Sequence, residues 1–191
     1  MATKELCFFC FEHLENTLSK KKSDVVAKKV IDPNNTAEYP MFVTFEKDDD
    51  LRGCIGSFKP LPLYKGLQET TIDSAFDDPR FPKMKLDELP HLSVGISLLY
   101  EFEKVDDPLN WEVGKHGIIL YLDGRSSTYL PEVAEEENWT QRETLAHLAR
   151  KGGFRRTFDD AALKRSKVER YQSSKAKATW QEYQDYLASA K

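Results

Sequence analysis

The run Leu92-Ser93-Val94-Gly95-Ile96-Ser97-Leu98-Leu99-Tyr100-Glu101-Phe102 constrains the fold more than any other stretch of the chain. Large apolar residues recur at every second position from Leu92 to Phe102, the period of an extended strand. Between them stand Ser93, Gly95, Ser97 and Leu99, so the opposite face carries little bulk. A strand with one heavy face must bury it under another layer.

The neighbouring segments supply that layer. Cys7, Phe11, Leu14 and Leu18, with Phe8 beside them, predict an amphipathic helix from about Lys4 to Leu18. Tyr39 to Lys47 alternates, and Asp48-Asp49-Asp50 leads into a second strand, Leu51 to Phe58. This reads as a hairpin whose loop is longer than the tight two-residue kind. Pro60 and Pro62 are expected to break that strand, and Leu63 to Phe76 to form a helix. Further on, Ile118–Leu122 and Arg125–Leu130 flank the tight-turn pair Asp123-Gly124. Thr140 with Glu143 forms a capping box for a helix that stops at Gly152-Gly153. Val168–Gln172 reads as a short strand, and Thr179–Leu187 as the closing helix. Two segments carry no such pattern: Ser19–Asn35, a lysine-rich solvated loop or variable insertion, and Phe154–Ser166, irregular and basic. The expected class is α+β, a mostly antiparallel sheet of hairpins covered by helices. With 191 residues and no break in composition, a single domain over 1–191 is expected.

Charge and cysteine usage narrow the function. A net charge of -4 gives no global reason to bind nucleic acid or an anionic membrane, although Arg150 to Arg170 is locally basic. No apolar run approaches the ~18–20 residues that span a bilayer, so no membrane partner is expected. Three cysteines, with no secretion signal at Met1–Lys4, point to a reducing compartment: cytoplasm, with the nucleus also open. Cys7-Phe8-Phe9-Cys10 and His13 look superficially like a metal or redox motif, but no second Cys/His pair completes a zinc site, and packing is the better reading. No phosphate loop, dinucleotide fingerprint or zinc motif is present, so neither cofactor nor metal is expected.

The candidate chemistry sits in Leu51-Arg52-Gly53-Cys54-Ile55-Gly56-Ser57-Phe58. Period-two alternation puts Arg52 and Cys54 on one face, with Leu51, Gly53 and Ile55 on the other. A positive charge ~6 Å from a thiol is worth roughly 0.7–2.8 kcal/mol toward the thiolate, depending on the local dielectric. Gly53 and Gly56 would let a ligand or another backbone come close. Against this stands the reading in which Cys54 is a small core residue and Arg52 a structural ion-pair partner. Arg80 lies in the stiff loop Asp78-Pro79-Arg80-Phe81-Pro82, which either aims it at a ligand or forms a corner in which it pairs with a neighbouring aspartate. His116, at a strand start, is the candidate acid/base for Cys54, or else a satisfied structural histidine. Tyr129 and Glu132 lie at a strand-to-helix transition. Lys151-Gly152-Gly153-Phe154 could offer bare amides to an anion, or could simply cap a helix.

Taken with their order, these blocks resemble the AMMECR-type domain, a family named after a syndrome of Alport nephropathy, intellectual disability, midface hypoplasia and elliptocytosis. Leu51-Arg52-Gly53-Cys54-Ile55-Gly56 resembles the family signature. Around it stand Tyr39-Pro40-Met41-Phe42-Val43-Thr44, Asp78-Pro79-Arg80-Phe81-Pro82, Trp111 to Gly117, Thr128 to Ala134, and Lys151-Gly152-Gly153. The likeness runs from Cys7 to Tyr186. It implies an α+β domain with a larger and a smaller lobe and a groove near the signature, but no assigned reaction. In some microbes the domain is linked with dioxygenase-like and radical-SAM proteins; in animals, related proteins are discussed as regulatory binding partners.

Two functions follow as expectations. One is an enzyme or ligand-binding domain for an anionic small molecule or peptide, with Cys54, Arg52 and His116 as the reacting group and Gly53, Gly56, Arg80, Tyr129, Glu132 and Lys151 around the ligand. The alternative is a regulatory module that binds a protein partner and in which Cys54 is structural.

Overall fold

The computed structural model describes residues 1–189. In chain order the elements are α1 (Lys4–Ser19), α2 (Ala27–Val30), β1 (Glu38–Lys47), β2 (Asp50–Pro62), α3 (Leu63–Phe76), a 3-10 turn (Leu86–His91) and β3 (Leu92–Val105). There follow β4 (Gly117–Leu122), β5 (Arg125–Tyr129), α4 (Pro131–Glu136), α5 (Gln141–Lys151), α6 (Asp160–Arg165), β6 (Lys167–Thr179) and α7 (Trp180–Ser189). The strand order is β2-β1-β3-β6-β4-β5. The class is α+β, as the alternation predicts.

The chain divides into two compact units, Met1–Leu98 with Ser174–Lys191, and Leu99–Ser173. In the first, the heavy face of the sheet (Met41, Val43, Phe45, Val94, Ile96 and Leu98) is almost wholly removed from water, in a core with Phe9, Phe11, Leu14 and Leu67. Burying each such side chain contributes about 1.5–3 kcal/mol. Phe11 stacks on Tyr183 of α7 at 5.7 Å, and meets Trp180 edge-on at 5.5 Å. Cys7 and Cys10 lie fully inside this core as free thiols. Burial pushes the Cys10 thiol up to about 12 and raises Cys7 as well, so both stay protonated packing residues. In the second unit the β4–β5 hairpin packs on α4 and α5 around Trp111, Ile118, Leu120, Leu145, Leu148 and Val168. The Thr140–Glu143 capping box forms as its sequence predicts.

Five elements depart from the sequence expectation. The β1–β2 loop is a two-residue turn: Lys47 pairs with Asp50, and Asp48 and Asp49 both take positive φ, 50° and 70°. That is the left-handed pair a tight hairpin needs, and aspartate tolerates it. Strand β2 runs on through Pro60 to Pro62 because it is the sheet edge, where a residue without an N–H forfeits no ladder bond. Within Ser19–Asn35, Val26 and Ile31 are buried, and the buried Glu12 carboxylate accepts the Val26 and Ala27 N–H groups and the Ser23 hydroxyl. The segment is therefore anchored rather than simply solvated. Strand β6 spans thirteen residues, well beyond Val168–Gln172. The basic stretch contains the short helix α6, capped by Asp159, whose carboxylate accepts the Ala162 N–H at 2.8 Å.

Candidate functional site

Cys54 lies on the edge strand β2, directly opposite Thr44 of β1. Its thiol and the Thr44 hydroxyl are 3.1 Å apart, and the residue is partly exposed, unlike the other two cysteines. Its backbone is held from both sides. The Cys54 N–H donates to Asp78 Oδ2 at 2.9 Å, and Arg80 Nη2 donates to the Cys54 carbonyl at 3.3 Å. The same Asp78 carboxylate accepts Arg80 Nε at 3.0 Å, Nη2 at 2.7 Å and the Arg80 N–H at 3.1 Å.

The two members of this ion pair differ sharply in exposure: the Asp78 side chain is 2% exposed, that of Arg80 54%. The carboxylate is the buried anchor, and the guanidinium reaches outward from it. Hydrogen bonding from Arg80 holds the Asp78 carboxyl well below the usual range, helped by the Cys54 and Arg80 amides. Asp78 in turn raises Arg80, and the negative charge that Cys54 would carry acts in the same direction. Proline on either side, at 79 and 82, stiffens the loop that carries the pair.

Arg52 does not share this arrangement. The β1–β2 register shifts by one between Phe45/Gly53 and Glu46/Leu51, so Arg52 is the extra residue of a bulge. The bulge resets the alternation and puts Leu51, not Arg52, in step with Cys54. Arg52 instead forms a two-pronged ion pair with Glu88, Nε to Oε2 at 2.9 Å and Nη2 to Oε1 at 3.0 Å, and Lys47 joins the same carboxylate at 3.2 Å. Both Arg52 and Glu88 side chains are only 11% exposed. The competing reading, a structural ion-pair partner, describes this geometry.

The glycines are filled by the protein itself. A Cβ on Gly53 would overlap the Ser74 carbonyl oxygen of α3, and one on Gly56 would overlap the Phe42 ring. Ser74 completes the junction: its hydroxyl accepts the Ile55 N–H at 3.0 Å and donates to the Val43 carbonyl at 2.8 Å. Close approach is therefore by helix backbone and by Phe42.

The other candidate residues belong to the second unit. His116 is buried, and its Nδ1 accepts the Glu112 N–H at 3.0 Å. Burial lowers its pKa, with Arg170 and Lys115 adding to the effect, so it is a neutral imidazole fixing its own turn. Tyr129 and Lys151 come together: the Lys151 ammonium lies 4.5 Å from the Tyr129 ring centre and donates to the Thr128 carbonyl at 2.8 Å. The Tyr171 hydroxyl donates to the Tyr129 carbonyl at 2.9 Å; burial raises its pKa, and the Glu132 charge adds to the shift. The amides of Gly152, Gly153 and Phe154 are not bare, because they donate to the carbonyls of Leu148, Arg150 and Ala149 at 2.8–3.0 Å. They cap α5 and offer nothing to an anion.

The aspartate-paired corner that the sequence offered for Arg80 is formed with Asp78, whose further bond to the Cys54 amide was not foreseen, and neither were Thr44 and Glu88 as partners. Asp78 carried a signal, an acidic residue two places before Arg80 across a proline. Thr44 carried none: without the bulge it would face Gly53. Among the described residues no group of three or more histidine, cysteine, aspartate or glutamate side chains is gathered to hold a metal, and no helix is long and apolar enough to cross a membrane.

The AMMECR1 family model matches residues 7–176. An uncharacterized protein of Arabidopsis thaliana is 34% identical over all of this chain and 91% of its own length. An uncharacterized protein of Schizosaccharomyces pombe is 39% identical, covering 96% of each chain. Among solved structures, the crystal structure of an uncharacterized protein from Pyrococcus horikoshii aligns with a TM-score of 0.66 at 27% identity, over 91% of both chains.

Proposed function

The chain belongs to the AMMECR1 family, and from that premise we propose that it is a ligand-binding domain. In this reading Cys54 and Arg80 meet an anionic small molecule or an acidic peptide on the first unit. One observation carries the proposal: a partly exposed cysteine is held at its backbone carbonyl by the guanidinium of Arg80, which is largely exposed while its own anchor, Asp78, is buried. Such an arginine is pre-organised: Nε and Nη2 are spent on Asp78 and the Cys54 carbonyl, and Nη1 is left to donate to a carboxylate or phosphate with little entropy lost.

The reading favours binding over nucleophilic catalysis. A cysteine nucleophile needs a base within hydrogen-bond reach. Here the thiol partner is the Thr44 hydroxyl, and the neutral His116 spends Nδ1 on its own turn. The role first given to Arg52 passes to Arg80, because Arg52 is committed to Glu88. The alternative, a regulatory module for a protein partner, is favoured by the two-sided hold on the Cys54 backbone, which is equally what a structural latch requires.

Nuclear magnetic resonance titration of isotope-labelled protein with a panel of carboxylate and phosphate compounds and acidic peptides separates the two. Binding predicts saturable shifts at the Cys54 and Arg80 amides, lost in a folded Arg80→Gln variant. Shifts that never involve these amides, or that persist unchanged in Arg80→Gln, count for the latch.

A further inference from the structure

The second unit carries a different set of unclaimed cations. Helix α5 ends at Arg150 and Lys151, and Gly153, at φ +90°, turns the chain sharply. A side chain at Gly153 is disfavoured by the backbone conformation, whereas Arg125 Nη1, 2.5 Å from an added Cβ, is the end of a flexible side chain that can move aside. Phe154 then packs against the core, which fixes where the exposed Arg155 and Arg156 emerge. Arg150, Arg155 and Arg156, with Phe154 and Phe158 in the wall, line a cleft of about 560 Å³. A smaller depression of about 300 Å³ adjoins it and shares Phe154, Arg155 and Arg156, adding Arg125 and the carboxylate of Asp123.

The nearby acids are already engaged. Asp123 is gripped by two nitrogens of Arg165, each at 3.2 Å; Asp160 pairs with Arg142; Asp159 caps α6. No carboxylate of the described residues lines the larger cleft; among those residues its three arginines form no close ion pair, although Arg156 helps lower the pKa of Asp123. In a chain of net charge -4 this is a local reversal of sign. Arginine forks match phosphate oxygens in pairs, and the half-buried phenylalanine rings offer an apolar surface for a flat body. The volume falls in the roughly 300–1,000 Å³ range of small-molecule sites.

We propose that this cleft binds a phosphorylated small molecule with a flat apolar body, the chemistry of a nucleoside polyphosphate. The site is independent of the Cys54–Arg80 reading and stands or falls without it.

Calorimetric titration of the full chain with ATP in magnesium-free, low-salt buffer tests it, alongside adenosine, tripolyphosphate and a single-stranded RNA oligonucleotide. The expected result is saturable ATP binding, weakened about tenfold or more in Arg155→Gln/Arg156→Gln and weakened as salt rises. Adenosine and tripolyphosphate should each bind roughly tenfold more weakly than ATP, since each supplies one half of the recognition. Both arginines are exposed, so the variant keeps the wild-type melting curve; Arg150→Gln gives a second, independent readout. Absence of saturable ATP binding, or equal binding by the variants, overturns the proposal. Tripolyphosphate binding as tightly as ATP also overturns it, by reducing the cleft to a bare charge patch. RNA held more tightly than ATP, and released by the same substitutions, overturns the small-molecule assignment.

Discussion

Asp78 receives four hydrogen bonds from Cys54 and Arg80, and Glu88 receives those of Arg52, Lys47 and the Lys85 amide. Both carboxylates are thereby stabilised in their charged form. Glu88 is held down at about 2, against 4.5 for the ordinary group, chiefly by the Arg52 fork; Asp78 is depressed further, chiefly by Arg80. A depressed carboxylate stabilises the fold fully above its unfolded pKa, and that contribution disappears as pH falls through the folded value. Urea melts should therefore show stability falling steeply from about pH 4.5 toward pH 2. Glu88→Gln and Asp78→Asn should each be less stable at neutral pH, by about 1–3 kcal/mol, with a shallower acid slope. Unchanged slopes in both variants would mean that these ion pairs do not stabilise the native state. At this scale the sequence was half legible. Asp78 and Arg80 are only two residues apart in sequence, whereas Arg52 and Glu88 are 36 residues apart and meet only through the fold.

Helix α3 and the β1–β2 hairpin form the element on which the site rests. Ser74 ties the helix to both strands, and Gly53 is the position that lets them touch. Gly53→Ala should therefore cost about 3 kcal/mol or more, because the obstacle is helix backbone and cannot rotate away. Gly124→Ala is the contrast. Its φ of +76° carries strain, but open space surrounds it, so the cost should be only about 1 kcal/mol. Chemical denaturation of the two variants makes the comparison, and equal losses would contradict the packing account. Most elements were readable from periodicity, as with α1, α3 and the β4–β5 turn. The bulge at Arg52 was not, because one unpaired residue leaves no mark in an alternating pattern yet turns every assignment on one side of it. The length of β2 was also hidden: proline breaks a strand only where a neighbour needs its N–H.

At the scale of the whole molecule the chain has two compact units, and the candidate residues divide between them. Cys54, Arg52, Gly53, Gly56 and Arg80 belong to the first unit; His116, Tyr129, Glu132 and Lys151 to the second. Composition showed no such division, because both units bury the same kinds of apolar residue. The account's central claim is that Cys54 and Arg80 act together as an accessible pair, while Cys7 and Cys10 are core. The most direct test is the iodoacetamide alkylation rate of each cysteine in the native protein, resolved by peptide mass spectrometry, in wild type and in Arg80→Gln. Cys54 should react at least about tenfold faster than Cys7 and Cys10, since exposure and neighbouring positive charge both favour thiol attack. Its rate should fall severalfold in Arg80→Gln, while the buried pair stays inert until the protein unfolds. A Cys54 as unreactive as the buried pair, or one whose rate ignores Arg80, would contradict the account.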